Sequence, residues 1–134
     1  MRGVALWFFA SAVVYVSLGM IFGLWMSASG DHMLAPAHAH LNLVGWVTMA
    51  LFGVYYHLVP AAQGRLATLH FALATIGVWL MAPGIALAIL GKTEVPVVIG
   101  SFCTLASMLL FLAIVLMNAS ARTADVRMGA APAE

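Results

Sequence analysis

The stretch PAHAHLNLVGWVTMALFGVYYHLVP, residues 36–60, decides how this chain is read. It is an apolar run of helix length between Pro36 and Pro60 that opens with His38 and His40 and closes with His57. An ionisable side chain carried into a bilayer gives up its hydration and needs a partner, so it marks a functional site by default. Two histidines at one end of the run strengthen that assignment.

The composition around the run agrees. Of 134 residues 65% are hydrophobic and 7% charged, and the mean hydropathy is +1.10. A soluble domain of this size has too few polar residues to cover its outside, so the expected class is an all-α integral membrane protein in contact with the lipid bilayer. Five Lys+Arg against four Asp+Glu give a net charge of +1, too little and too scattered for a nucleic-acid partner. The single cysteine, Cys103, lies in an apolar run. It reads as a small buried hydrophobe, with neither a disulfide framework nor a cysteine metal site.

Hydropathy places four spans at about 4–26, 36–59, 66–90 and 97–117, each long enough to cross roughly 30 Å of hydrocarbon at 1.5 Å per residue. Arg2 and the small residues Ser27-Ala28-Ser29 also fit a signal peptide. The first run exceeds the roughly 7–15 apolar residues of such a leader, so a retained anchor is expected. Gly19 and Gly23 form a small-xxx-small pair that would admit another helix or a flat ligand close to the backbone. Pro36 suits a first helical turn, Pro83 predicts a kink in the third span, and residues 118–134 read as a frayed polar tail. Short turns between the spans predict a single domain, an up-down-up-down four-helix bundle. Arg2, Arg65, Arg122 and Arg127 fall on one side and Lys92 alone on the other, which puts both termini in the cytoplasm. His32, His38 and His40 then lie at the outer face, and His57 and His70 toward the inner one.

His38 and His40 are two residues apart, so on a helix they point about 200° apart. They cannot both be axial ligands of one haem unless the turn unwinds, and one bundle interior receives only one of them. A ring of identical subunits gives each helix two interfaces, so His38 of one copy can face His40 of the next. Opposed imidazoles are what a six-coordinate, low-spin haem uses. The equal alternative is that both rings cap the helix at the interface, bonded to water and headgroups. His57 and His70 flank one turn and form a second candidate pair, for which interfacial solvation is the simpler account. His32 with Met33 offers an imidazole-thioether combination suited to copper. The four tryptophans, with Tyr55 and Tyr56, read as packing or interface anchors.

His40-Leu41-Asn42, Trp46, Gly53, Tyr55-Tyr56 and Pro60 resemble the second transmembrane helix of the haem-copper oxidase superfamily large subunit, especially in nitric oxide reductases and C-family cytochrome c oxidases. In that helix a histidine holds low-spin haem b. The resemblance implies His40 as the matching ligand, with Asn42 and Trp46 as accompanying positions. His38-Ala39-His40 also resembles the His-x-His of the superfamily's tenth helix, whose histidines hold two different haems. That large subunit has twelve helices in three four-helix arcs, so the resemblance implies a homotrimer with haem b between adjacent subunits. The run Leu69-His70-Phe71 is similar to another stretch of the superfamily but is too short to carry a role.

The copper-binding histidine set, the tyrosine-histidine crosslink motif and the acidic cluster of the nitric oxide reductases are absent from the sequence. Reduction of oxygen or nitric oxide by this chain alone is therefore not expected. Three readings follow. The first is a haem b membrane protein in a bacterial inner membrane, serving electron transfer or haem and redox holding, with iron ligated by His38 and His40 and an unknown redox partner. The second is a copper-handling protein using His32, Met33, His38 and His40. The third is a structural accessory subunit of a respiratory complex.

Overall fold

The computed structural model describes residues 1–129, with side chains through residue 119. Four helices are long and apolar enough to cross a membrane: Val4–Ser29, Ala35–Leu58, Arg65–Ile89 and Val95–Ala119. The fold is an all-α membrane bundle in which successive helices run in opposite directions, and no strand occurs among the described residues. The expected class and the four spans are thus observed.

Helix α1, Val4–Ser29, ends where Gly30 takes φ 69°, a left-handed cap that an L side chain would strain. The second span has three parts. Helix α2, Ala35–His40, carries Pro36 in its first turn, where the missing N–H costs nothing. A π-helical segment, Leu41–Thr48, follows, and helix α3, Met49–Leu58, completes the span. After the 3-10 turn Pro60–Ala62 come α4, Arg65–Ile89, and α5, Val95–Gly129.

Helix α4 holds Pro83 inside one continuous helix, as expected of a proline within a span and as bilayer helices allow when neighbours and local adjustment satisfy the freed carbonyl. One expectation is corrected here, at the C-terminal tail. Helix α5 extends past Met117 to Gly129, so the segment expected to be frayed is helical over residues 118–129. The last five residues of that tail lie outside the described residues.

Close approach of backbones holds the spans together. Along the α4–α5 seam a Cβ on Gly100 would lie 2.9 Å from the carbonyl carbon of Leu80, and one on Gly84 would overlap the backbone of Val97. Lipid tails are as apolar as leucine, so helices in a bilayer gain by fitting small residues tightly rather than by burying large ones. The distribution of residues follows. Ala5, Ala12, Ala67 and Ala74 are buried, whereas Leu24, Phe102 and Trp7 are 71%, 69% and 63% exposed. Phe8, Phe52 and Tyr56 of the core gather around His70, while Tyr15 packs on Gly45 and Trp79.

Candidate functional site

His38 and His40 share the single turn of α2, and α-helical geometry up to His40 keeps their side chains on opposite flanks. The two rings are held differently. His40 is exposed, and its Nδ1–H donates to the carbonyl oxygen of Pro36 at 2.8 Å. A carbonyl only accepts, so the proton is on Nδ1, and the Nε2 of this exposed ring is left to accept. A ring nitrogen bonded to a backbone carbonyl is the usual way a protein fixes the tautomer of a metal-binding histidine.

His38 is half-buried against α1. A Cβ on Gly23 would lie 3.1 Å from His38 Cε1, 3.7 Å from Nε2 and 3.8 Å from Nδ1, so the nitrogen-bearing edge of the ring faces the α1 backbone. The Phe22 ring meets it edge-on at 5.8 Å. Asn42 Nδ2 lies 3.4 Å from His38 Nδ1 and 3.3 Å from Nε2. Near-equal distances to both nitrogens place the amide over the face of the ring rather than on either lone pair. The same amide donates to the His38 carbonyl at 2.9 Å, which anchors it there. Asn42 in turn occupies the space beside Gly19, where a Cβ would lie 2.8 Å from Asn42 Cγ. The small-residue notch of α1, expected to admit a helix or a flat ligand, is filled by these two side chains of the neighbouring span.

The π-helical segment starts at the residue after His40. Its wider hydrogen-bonded ring adds a residue to the helix and turns the following residues by about 100° relative to a continued α-helix. Thr48 Oγ1 donates to the Leu43 carbonyl five residues earlier at 2.9 Å, and buried Gly45 packs on Tyr15. Trp46 meets Phe9 of α1 edge-on at 6.4 Å, a packing contact.

The alternative copper set is not assembled within one copy. His32 Nδ1–H donates to the Gly30 carbonyl at 3.2 Å, Met33 is half-exposed, and the Met33 N–H donates to Asp31 Oδ1 at 2.8 Å. Among the described residues, no three histidine, cysteine, aspartate or glutamate side chains converge on a metal-sized space.

The second histidine pair is also corrected. His57 is exposed, whereas His70 is completely buried and hydrogen-bonded to Tyr56 at 2.9 Å. His70 is packed among Phe52 at 4.4 Å, Phe8 at 4.9 Å and Phe111 at 5.3 Å, so every spanning helix contributes a ring to this cluster. The sequence carried the signal: Tyr56 and His70 are polar groups set in apolar spans on either side of one tight turn, and such groups face inward and find each other.

Whether the site suits a haem turns on space. The apolar groove beside α2, lined by Phe22, Ala37, Leu41 and Trp79 among others, holds about 200 Å³. Pockets that enclose a cofactor-sized ligand run to roughly 300–1,000 Å³. One copy therefore does not enclose a porphyrin at this end, and the His40 ring is exposed at the surface beside it.

Comparison with known proteins gives one partial similarity. Over 47 residues the chain is 47% identical to the Cbb3-type cytochrome c oxidase subunit CcoN1 of Stutzerimonas stutzeri, an alignment covering 30% of this chain. The chain spans about a tenth of that relative's length. No family model matches, and no solved structure matches. The similarity relates the chain loosely to the haem-copper oxidases and agrees with a redox or haem-related membrane role.

Proposed function

We propose that this protein holds haem b in the membrane at the contacts between identical copies, with His40 of one copy and His38 of the next as axial ligands. The observation that carries this reading is the state of His40, an exposed ring proton-fixed at Nδ1 by Pro36, beside a groove too small to enclose the group within one copy. The partial likeness to a bacterial oxidase subunit supports the cofactor class and a bacterial inner membrane. The excess of basic residues at one end of the bundle supports cytoplasmic termini.

A homotrimer is the favoured assembly, since three four-helix copies rebuild a twelve-helix ring and a cyclic arrangement gives every copy one His38 and one His40 interface. Haem b held by His38 and His40 would supply one-electron exchange at iron. The chain's own residues hold and orient it, and Asn42 sets the His38 ring. Electron transfer or redox holding follows, with a redox partner that the chain does not identify.

The test is the visible spectrum of the detergent-solubilised protein, oxidised and reduced, after expression with ample haem. A low-spin b-type spectrum at one haem per copy is expected, with a trimer mass by native mass spectrometry. A colourless protein, or copper bound in place of haem, overturns the proposal. A colourless protein whose assembly is indifferent to alanine at His38 and His40 points instead to a structural accessory subunit.

A further inference from the structure

At the end of the bundle opposite α2, the turn Pro60–Ala62 and the start of α4 leave a groove against α5 that holds about 400 Å³. That volume lies within the roughly 300–1,000 Å³ of pockets that take a ligand. Ala61 and Gly64 are too small to fill it, whereas the same two helices close on each other at Gly84 and Gly100. One wall is apolar, given by Ile114 and Met117 of α5, and the rim is polar, given by Gln63, Arg65 and Asn118.

The rim is rich in donors and poor in acids. Gln63 Nε2 donates to the Tyr56 carbonyl at 3.0 Å and Asn118 Nδ2 to the Ile114 carbonyl at 2.8 Å, and each amide keeps a second N–H. The Arg65 guanidinium is exposed and carries the charge. Among the residues with described side chains the acids are Asp31 and Glu94, which sit in the turns at the other end of the bundle and cannot neutralise it. Helix α4 runs 25 residues, about 37 Å of rise against a hydrocarbon core of about 30 Å, so Arg65, its first residue, stands at the level of the lipid phosphates. Its first backbone N–H groups have no side-chain cap and add to the donors there.

We propose that this groove binds an anionic phospholipid, its phosphate held by Arg65 and its upper acyl methylenes lying on Ile114 and Met117. A free phosphate would leave the apolar wall unused. A zwitterionic lipid would bring its own cation beside Arg65, with no carboxylate in the lining to receive it. This inference does not rest on the haem reading.

The experiment offers phosphatidylglycerol and phosphatidylcholine to the delipidated full-length protein in neutral detergent and measures bound lipid by native mass spectrometry. Wild type is expected to hold phosphatidylglycerol about tenfold more tightly, the scale of a charge-assisted hydrogen bond. Arg65→Gln should bring the two lipids level, and Arg65→Lys should keep part of the preference. Ala61→Phe, which fills the groove from an exposed position, should weaken both lipids. Arg2→Gln removes the same charge at the same end of the bundle, where Gly3 lies beside Gln63, but outside the groove, and should keep the wild-type preference. The inference is overturned by equal binding of the two lipids to wild type, by an Arg2→Gln loss as large as that of Arg65→Gln, or by inorganic phosphate that binds at Arg65 as tightly as the lipid. Binding of neither lipid, as when a second copy covers the groove, overturns it as well. Each of these outcomes leaves the haem reading where it stands.

Discussion

The Tyr56 hydroxyl and His70 Nδ1 lie 2.9 Å apart and tie the second span to α4, inside a cluster to which all four spanning helices give a ring. The tautomer follows from the surroundings. His70 Nε2 has no hydrogen-bond partner. If Tyr56 donates to Nδ1, the Nε2–H is left among aromatic faces, Phe52 being 4.4 Å away and steeply inclined, and an N–H over a ring is partly compensated. The opposite arrangement strands both the tyrosine proton and a bare lone pair. Tyr56 is therefore the donor.

Tyr56→Phe removes that donor and leaves a buried imidazole with neither nitrogen satisfied. A stranded buried polar group costs about 1–3 kcal/mol, whereas replacing both partners by apolar groups of similar shape is nearly neutral. Tyr56→Phe alone should lower stability by about 1–3 kcal/mol, and adding His70→Phe should return much of it. Unfolding by sodium dodecyl sulfate in mixed micelles, run as a double-mutant cycle, measures both. Equal losses in the single and double variants would mean that the hydrogen bond contributes nothing.

Much of this architecture was legible in the sequence, and the remainder was hidden for physical reasons. Four apolar runs separated by short turns require four antiparallel spans, because backbone groups in lipid must be satisfied within the helix. The opposed flanks of His38 and His40 follow from 100° per residue alone. The π-helical turn at Leu41–Thr48 was not legible, since LNLVGWVT contains no residue that forces it and the contacts of Gly45 on α1 and α4 come from other parts of the chain. Only the polarity of His70 signalled its burial, because α4 is apolar on nearly every face, which erases the periodicity that separates inside from outside in soluble helices. Likewise the Gly19 and Gly23 pair signalled close approach without saying that Asn42 and His38 would fill it.

The exposed, Pro36-bonded ring of His40 and the half-buried ring of His38 predict different losses on truncation. His40→Ala removes the ligand that is already set and should abolish retention of haem through detergent purification, leaving less than about a tenth of the wild-type absorbance per protein. His38→Ala should keep haem in a high-spin, five-coordinate form, read from the loss of the sharp low-spin bands and from electron paramagnetic resonance. Low-spin spectra surviving in both variants would place the ligands elsewhere.

Asn42 is predicted to act on ring orientation rather than on folding. Leucine there matches its size but removes the amide over the His38 face and its bond to the His38 carbonyl. Asn42→Leu should keep stability within about 1 kcal/mol, the scale of one intramembrane hydrogen bond. It should also loosen the His38 ring beside Phe22, moving and broadening the His38 ring proton signals of the apo protein with labelled histidine. Ring signals unchanged from wild type would show that the amide does not set the ring.

The α4–α5 seam gives a prediction independent of any cofactor. A Cβ on Gly100 would lie 2.5 Å from the Met81 nitrogen and 2.9 Å from the Leu80 carbonyl carbon, and these are backbone atoms that cannot swing aside. Relief comes only from parting the helices, which forfeits contacts along the whole interface because packing attraction falls off within an ångström. Gly100→Leu should therefore destabilise the bundle by roughly 2–4 kcal/mol, in the upper range for overpacking. Leucine in place of Val98, which is about half-exposed to lipid, should change little. Denaturant midpoints in the same micelles decide between them. Gly100→Leu matching the Val98 control would mean that the two helices are not held at this distance in the membrane.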